Sequence, residues 1–167
     1  MTDYIIASAS TADTPREFFD EHGVPFIGYT YVMDGATCTD DSREATREEI
    51  YRKMRAGTLL TTSMINVFEY HDFFRSLMET GKDVIYLDMS REMSRSFFNA
   101  REAAEQIAAE YPAQRLYLMD TLCISGGLGL LLENMVRRKE EGLSFDEVIA
   151  WGESHKLKIM HRFTVDD

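Results

Sequence analysis

Short apolar segments rich in β-forming residues alternate along this chain with longer segments of helical spacing, and this alternation constrains the fold most. The clearest strand is residues 84–89, V-I-Y-L-D-M, after which apolar residues recur every three or four positions from Phe97 to Tyr111. Because strands that alternate with helices form βαβ units, the sequence predicts a Rossmann-like three-layer α/β/α domain with a mainly parallel sheet. The further predicted strands are residues 4–8, 24–32, 36–39, 115–119 and 158–163.

Turn and capping patterns predict where these elements begin and end. The D-G pair at residues 34–35 is typical of a hairpin turn, so the segment after it is expected to pair back on the strand before it. Residues 58–66 are predicted to be a hydroxyl-rich loop ahead of a helix. Helix starts are predicted at Thr14-Pro15, at capping boxes beginning at Thr46, Asn66 and Ser144, at the N-cap Ser94 and at Gly126.

The charge of the chain excludes several classes of partner. A net charge of −11 argues against nucleic acid, whose phosphates require a basic surface, and against a polybasic membrane-surface protein. No apolar run is long enough for a transmembrane segment, and no signal peptide is evident. The two cysteines, Cys38 and Cys123, lie outside any C-x-x-C pattern, so we expect reduced thiols and a cytoplasmic location.

Hydroxyl side chains mark the predicted loops at one edge of the sheet. Ligands of parallel α/β sheets bind beyond the carboxyl ends of the strands, where helix starts carry partial positive charge. The hydroxyls and these helix starts together predict a site for a small anionic head group, although the same residues also suit simple helix caps. The four groups are Ser8, Ser10 and Thr11; Thr61, Thr62 and Ser63; Ser90, Ser94 and Ser96; and Thr121 and Ser125.

The residue types favour a carboxylate ligand. A phosphate site normally brings a glycine loop with a lysine, and a serine hydrolase brings G-x-S-x-G; neither motif is present. The four histidines lack metal-binding spacing, so no metal and no cofactor is expected. A carboxylate, by contrast, can be bound by a few hydrogen bonds from serine and threonine hydroxyls and helix-start amides, without a lysine. Because no base–nucleophile pair stands out, the pattern favours binding over catalysis.

The hydroxyl loops, taken in order, resemble the motifs of the DegV family. Residues 9–15, A-S-T-A-D-T-P, resemble its D-S-T-A-D-L-P, and residues 60–66, L-T-T-S-M-I-N, resemble its P-x-T-S-Q-P-S. Residues 90–100 resemble S-S-x-L-S-G-T-Y-Q-S-A, and the pair at 120–121 with 127–131 resembles D-S…G-L-G-L-L. The chain departs from these motifs at Ala9, Met64, Ile65, Arg95 and Ser96.

The resemblance implies a binding function. DegV family proteins bind a long-chain fatty acid between two domains and are similar to carriers that present it to a fatty-acid kinase. The residues implied to hold the carboxylate are Thr62, Ser63 and Ser94, with Ser10, Thr11, Ser96 and Thr121 as secondary positions. Residues 1–167 would form the N-terminal α/β domain, with residues 163–167 leading into a C-terminal domain that lies outside this chain.

Two other readings of the sequence remain open. One is a small-molecule enzyme on a Rossmann-like fold, with Asp88, Asp120 or Cys123 as the reactive group. The other is a half-domain that acts only through protein contacts. If a covering domain is missing, an apolar patch at the strand ends, with Met64, Ile65, Phe97 and Leu122 as candidates, is expected to cause self-association.

Overall fold

The structure is a computed structural model that describes residues 4–164, and these residues form two sheets with helices packed on both faces of the larger one. The strands are β1 (Tyr4–Ala9), β2 (Phe26–Ile27), β3 (Thr30–Met33), β4 (Ala36–Thr39), β5 (Leu60–Thr62), β6 (Asp83–Asp88) and β7 (Leu116–Asp120). The helices are α1 (Arg16–Glu21), α2 (Glu44–Arg55), α3 (Val67–Met78), α4 (Ser96–Glu110), α5 (Gly126–Glu140) and α6 (Phe145–His155), with short 3-10 helices at Ser10–Ala12 and Lys156–Lys158.

The larger sheet is parallel throughout and has the order β2-β1-β6-β7. Strand β6 lies inside it, with Ile85 opposite Ile6 of β1 and Leu87 opposite Met119 of β7. A strand covered on both faces needs a continuous apolar run, which residues 84–87 supply. The predicted parallel sheet is confirmed, and the strand predicted at residues 84–89 is β6, which lies inside it.

Successive side chains of β6 pack into different layers. Ile85 and Leu87 belong to a core formed with α1, α5 and α6, whereas Val84 and Tyr86 belong to a core formed with α3 and α4. This division follows from the strand period of two, which directs neighbouring side chains to opposite faces. The predicted three-layer α/β/α architecture is therefore confirmed.

The smaller sheet is antiparallel, with the order β4-β3-β5. The predicted hairpin at residues 34–35 is confirmed, but residues 24–32 are not one strand. They divide at Gly28 and Tyr29 into β2 of the parallel sheet and β3 of the antiparallel one. A side chain at Gly28 would collide with the backbone oxygen of Asp40, so the chain there is pressed against the loop after β4.

Several predicted boundaries were wrong for identifiable reasons. Residues 60–62 are not loop, because they pair with β3 as strand β5. Thr46 does not cap α2, which begins two residues earlier, and its hydroxyl donates to Asp41 instead. Thr14 does not cap α1 either, because its hydroxyl donates to the carbonyl of Ala12. The capping boxes at Asn66 and Ser144 are confirmed.

The predicted last strand at residues 158–163 is also wrong. A 3-10 helix ends at Lys158, and the described residues after it, 159–164, contain no strand. Here His161 folds onto the start of α5, where its ring accepts a hydrogen bond from the amide of Ile124. Gly127 leaves room for that ring, since a Cβ at this position would overlap it. The predicted entry to a second domain extends into residues 165–167, which lie outside the described residues.

Candidate functional site

A cavity of about 760 Å³ lies where the parallel sheet faces the smaller sheet and α2. One wall consists of the segments that follow β1, β6 and β7. Each contributes lining residues, among them Thr11 after β1, Ser94 after β6 and Ser125 after β7. The other wall consists of β3, β5 and the inner face of α2. The cavity therefore lies beyond the carboxyl ends of the parallel strands, where the hydroxyl pattern predicted a site.

The structure brings most of the predicted site residues together. Thr62, Ser63 and Ser94 all line the cavity, and so do the secondary positions Ser10 and Thr11. They come from three separate segments of the chain, so their meeting is a property of the fold.

Two of the secondary positions do not reach the cavity. Ser96 is fully buried at the first position of α4, and its hydroxyl has no hydrogen-bond partner among the described residues. Thr121 is also fully buried, and its hydroxyl donates to the backbone oxygen of Asp88 at 2.7 Å. Both hydroxyls therefore belong to the interior.

Thr62 and Ser63 are held by the antiparallel sheet. Thr62 ends β5 opposite Tyr31, and Ser63 continues the pairing, with its amide 3.1 Å from the carbonyl of Thr30. The Ser63 hydroxyl is hydrogen-bonded to the hydroxyl of Thr30. Thr62 is exposed, and within residues 4–164 its hydroxyl has no hydrogen-bond partner. That hydroxyl is consequently able to donate to a ligand.

Ser94 is held by a turn between β6 and α4. Its amide donates to the carbonyl of Ser90 at 3.2 Å, and its hydroxyl oxygen accepts from the amide of Ser96 at 3.2 Å. Arg95 precedes the first helical residue, so Ser94 is not the N-cap itself, as predicted, but lies one position before it. Because its oxygen accepts one bond already, the hydroxyl hydrogen of this half-buried residue is available to a ligand.

Most of the cavity surface is apolar, and sequence reasoning missed the helix that supplies much of it. Ile50, Tyr51 and Met54 of α2 face the cavity, together with Leu60 of β5. Their spacing at positions 50, 51 and 54 is the signal that could have found them, since residues three or four apart share one helix face. The remaining large apolar and aromatic lining residues are Tyr29, Tyr31, Met64, Met89, Met93 and Ile124.

Two arginines give the cavity local positive charge in an acidic protein. Arg47 of α2 and Arg95 of the β6–α4 turn both line it. Asp13 and Asp40 also line it, so the surface is mixed in sign. An anion near the arginines would gain from their field despite the net charge of −11.

A buried acid ends β6, the strand that leads into the Ser94 turn. Asp88 ends β6 and is fully buried; one carboxylate oxygen accepts from the Tyr70 hydroxyl at 3.0 Å, and the other accepts from the amide of Met89 at 2.8 Å. Burial raises the pKa of Asp88 to about 7, an effect that the hydrogen bond from Tyr70 partly opposes. Asp88 is not among the residues that line the cavity.

The residues considered for catalysis are poorly placed for it. Asp88, Asp120 and Cys123 do not line the cavity. Burial raises the pKa of the Cys123 thiol, which favours the unreactive protonated form. Asp120 is paired with Arg91 at 3.3 Å.

Residues 4–164 lack the features of two other kinds of site. No helix in this part of the chain is both long and apolar enough to cross a membrane. No group of three or more histidine, cysteine or acidic side chains in the same residues could hold a metal ion.

These features define a three-layer α/β/α domain with a cavity beyond its strand ends, and comparison with known proteins gives the family. The chain belongs to the DegV family, because the family model, described as an uncharacterised protein of the DegV family, matches residues 5–167. A DegV domain-containing protein of Clostridium perfringens is 29% identical over 167 residues, which are 99% of this chain and 57% of that protein. A Streptococcus pyogenes relative is 28% identical over 165 residues, 98% of this chain and 58% of that protein.

Solved structures of relatives share the fold. A stearic acid-binding protein from Eubacterium ventriosum superposes with a TM-score of 0.81 at 28% identity, over 90% of this chain and 52% of that one. A DegV family protein from Thermus thermophilus, described by its fatty acid binding, gives a TM-score of 0.79 at 26% identity, over 93% of this chain and 54% of that one. This chain thus spans about half the length of the relatives it matches.

Proposed function

We propose that this chain is one lobe of a fatty-acid-binding protein and that it holds the carboxylate of a long-chain fatty acid between Thr62 and Ser94, with Ser63 beside them. The observation that carries the proposal is the composition of the cavity, in which these three hydroxyls adjoin a large apolar surface. A fatty acid has the same division into one polar head and a long apolar tail. The fatty-acid binding described for the Eubacterium and Thermus proteins supports the assignment.

The head group is proposed to bind through neutral donors from both walls. Thr62 approaches from the antiparallel sheet and Ser94 from the parallel sheet, and each has a hydroxyl hydrogen to donate. Arg47 and Arg95 add positive potential around them. A hydrogen bond to a charged group contributes roughly 1.5–3 kcal/mol, so two hydroxyls provide enough to select a carboxylate over an uncharged end.

The acyl chain is proposed to lie along the apolar side of the cavity. Four of the apolar side chains there, Tyr51, Met54, Met64 and Met93, are exposed in this chain. Covering them would gain about 25 cal/mol for each Å² removed from water. We propose that a C-terminal domain outside this chain provides the cover, which makes residues 1–167 the N-terminal domain.

Self-association of the uncovered domain is the alternative way to bury this surface. Of the residues predicted to drive it, Met64 and Leu122 are exposed, but Ile65 and Phe97 are buried in the core. Ile65 packs with α3 and α4, and Phe97 faces inward from α4.

Binding, rather than catalysis, is the proposed activity. The fatty acid is the only bound ligand in this proposal, with neither metal nor cofactor, and a fatty-acid kinase is the proposed partner to which the carrier presents it. A cytoplasmic location is also part of the proposal, and the two cysteines, Cys38 and Cys123, which form no disulfide, are consistent with it.

Titration with a fluorescent fatty acid tests the head-group site. The full-length gene product is titrated with cis-parinaric acid, whose emission rises in an apolar site, and stearic acid is used to displace it. Thr62→Val removes a hydroxyl while keeping the side-chain shape, and it should weaken binding about ten- to a hundredfold, because ~1.4 kcal/mol is a factor of ten. Ser94→Ala should have an effect of the same size.

Thr61→Val is the matched control. Thr61 is the preceding residue of β5, is exposed, and does not line the cavity, so its replacement should leave the affinity unchanged. Equal affinities for wild type, Thr62→Val and Ser94→Ala would contradict the proposed head-group site. Failure of the wild type to bind either fatty acid, with none found by mass spectrometry after organic extraction, would leave the protein-contact alternative in its place.

A further inference from the structure

Helix α2, all of which the structure describes, presents one charged residue to the cavity, and this residue is Arg47. The other cavity-lining residues of the helix are Ile50, Tyr51 and Met54. Positions 47, 50, 51 and 54 are three or four residues apart, so the four side chains share one face of the helix. The wall formed by α2 therefore combines an apolar surface with a single permanent positive charge.

Arg47 differs from its basic neighbours on α2 in having no acidic partner. Arg52 pairs with Glu49 at 2.6 Å, and Lys53 pairs with Asp34 at 2.8 Å. The side chain of Arg47 is half-buried, yet within the described part of the chain it has neither an ion pair nor a hydrogen bond. Charges that are withdrawn from water in proteins are normally paired. An unpaired arginine in a cavity wall therefore indicates that an anionic ligand supplies the missing charge.

The two acids that line the cavity do not take this place. Asp13 and Asp40 are both lining residues, but neither is paired with Arg47. One carboxylate oxygen of Asp40 accepts from the amide of Ser42 at 2.9 Å, within its own loop. Because both acids repel an anion, a ligand carboxylate gains most from a direct contact with the arginine, where the attraction is strongest.

The connections of α2 place Arg47 at the same level as Thr62. The helix follows β4, which ends beside the start of β3, and it leads to β5, which begins beside the end of β3. Lys53 marks the far end of this path, where it binds Asp34 at the turn after β3. Arg47 precedes Lys53 by about 9 Å along the helix. Tyr31, which lies opposite Thr62, precedes Asp34 by about 10 Å along the strand.

A carboxylate has room for an arginine in addition to the two hydroxyls. Its two oxygens accept about four hydrogen bonds, of which Thr62 and Ser94 would supply two. A guanidinium presents parallel N–H donors in a planar fork that matches the two oxygens of a carboxylate. The hydroxyls already favour a carboxylate, and Arg47 adds a preference that depends on the charge of the head group.

We propose that Arg47 forms a direct ion pair with the ligand carboxylate and is a specificity-determining residue, favouring an ionised fatty acid over the uncharged alcohol of the same chain length. The inference rests on the proposed function, because it requires a fatty acid in the cavity. It deepens that function by giving α2 a part in head-group binding. Arg47 lies outside every motif by which the chain resembles the DegV family, so the resemblance assigns it no role.

Competition between a fatty acid and its alcohol tests the inference in the full-length gene product. Wild type and Arg47→Met are titrated with cis-parinaric acid, and the bound probe is then displaced with myristic acid or with 1-tetradecanol. Arg47→Met should weaken binding of both acids about tenfold, because a charge-assisted hydrogen bond is lost. It should leave binding of the alcohol unchanged, since methionine keeps the apolar part of the side chain. The preference for acid over alcohol should therefore fall about tenfold.

Arg52→Met is the matched control. Arg52 belongs to the same helix, is exposed, pairs with Glu49 and does not line the cavity, and its replacement changes the net charge equally. It should keep the wild-type preference. Arg47→Lys separates charge from shape: lysine retains the charge without the planar fork, so part of the preference that Arg47→Met loses should remain.

The outcomes distinguish this inference from the proposed function. If the wild type binds myristic acid and Arg47→Met keeps the same preference for acid over alcohol, the inference is overturned and the proposed function stands. Equal losses of acid and alcohol binding would also overturn it, because Arg47 would then contribute packing rather than charge. If the wild type binds no fatty acid, both fall. Should Arg47→Met fail to fold, Arg47→Gln removes the charge with a polar side chain, and an unchanged preference in that variant overturns the inference.

Discussion

The parallel sheet buries its inner strand β6 almost completely, whereas the antiparallel sheet leaves most of β4 and β5 exposed. The two sheets form opposite walls of one cavity. Ser94 follows the buried strand β6, while Thr62 ends an exposed strand. The parallel-sheet wall is therefore held mainly by core packing, and the antiparallel-sheet wall mainly by backbone pairing. Mutations of core residues in the first should mainly change stability, and mutations in the second should mainly change binding.

The largest expected effect concerns the opposite pKa shifts of carboxyls in the two regions. Burial raises the pKa of Asp88 to about 7, whereas a hydrogen bond from Lys53 lowers the pKa of Asp34 at the β3–β4 turn. Between about pH 4 and pH 7 the unfolded chain ionises Asp88 but the folded chain does not, so Asp88 lowers stability as the pH rises. Asp88→Asn removes this penalty.

Urea unfolding at several pH values checks this prediction. The stability gain of Asp88→Asn over wild type should grow by at most ~1.4 kcal/mol per pH unit from about pH 4 to pH 7, then level off. Asp34 affects stability in the opposite direction. Because its pKa is lowered in the folded state, it stabilises the folded protein at a pH above its unfolded pKa, and this contribution is lost as the pH falls. A gain that does not change with pH would show that Asp88 is not titrating as described.

A matched pair of valines gives the next largest effect. Val84 in β6 is fully buried, and Val32 in β3 is 38% exposed. Val84→Ala should lower the free energy of unfolding by about 2 kcal/mol, because two methyl groups and their contacts are lost from a close-packed core. Val32→Ala should change it by less than about 0.5 kcal/mol. Similar losses in chemical denaturation would mean that the antiparallel sheet is as tightly packed as the parallel one.

The smallest expected effect on stability concerns the helix starts on the two walls of the cavity. Helix α3, which packs on the parallel sheet, begins with a capping box in which the Asn66 side chain accepts from the amide of Glu69 at 3.0 Å. Helix α2, on the other wall, begins after Arg43 without a side-chain cap. Asn66→Ala should cost about 1 kcal/mol, and Arg43→Ala should leave the melting temperature almost unchanged. Equal shifts in calorimetry would contradict the assignment of the caps.

The sequence predicted the parts of the fold that depend on local patterns. The run at 84–89 identified β6, and the boxes at Asn66 and Ser144 fixed two helix starts, because each pattern operates within a few residues. It did not predict the division at Gly28 or the pairing of residues 60–62, which depend on contacts with Asp40 and β3 that are distant along the chain.

The candidate site was predictable to a similar degree. The resemblance in motif order identified Thr62, Ser63 and Ser94, all of which line the cavity. Hydroxyl content alone does not distinguish a cavity wall from the protein interior, and Ser96 and Thr121, both among the predicted secondary positions, are fully buried and do not line the cavity. The apolar face of α2 was missed because nothing local shows that this helix faces a cavity rather than the main core.

The absence of strand pairing between the two sheets, within the described part of the chain, has a consequence for local unfolding. Backbone amides of β3, β4 and β5 can exchange with solvent through an opening that breaks only their own pairing, while β1 and β6 open with the whole domain. We therefore expect the antiparallel sheet to open as a separate cooperative unit. Its opening would expose the cavity beside Thr62 at a lower free-energy cost than global unfolding.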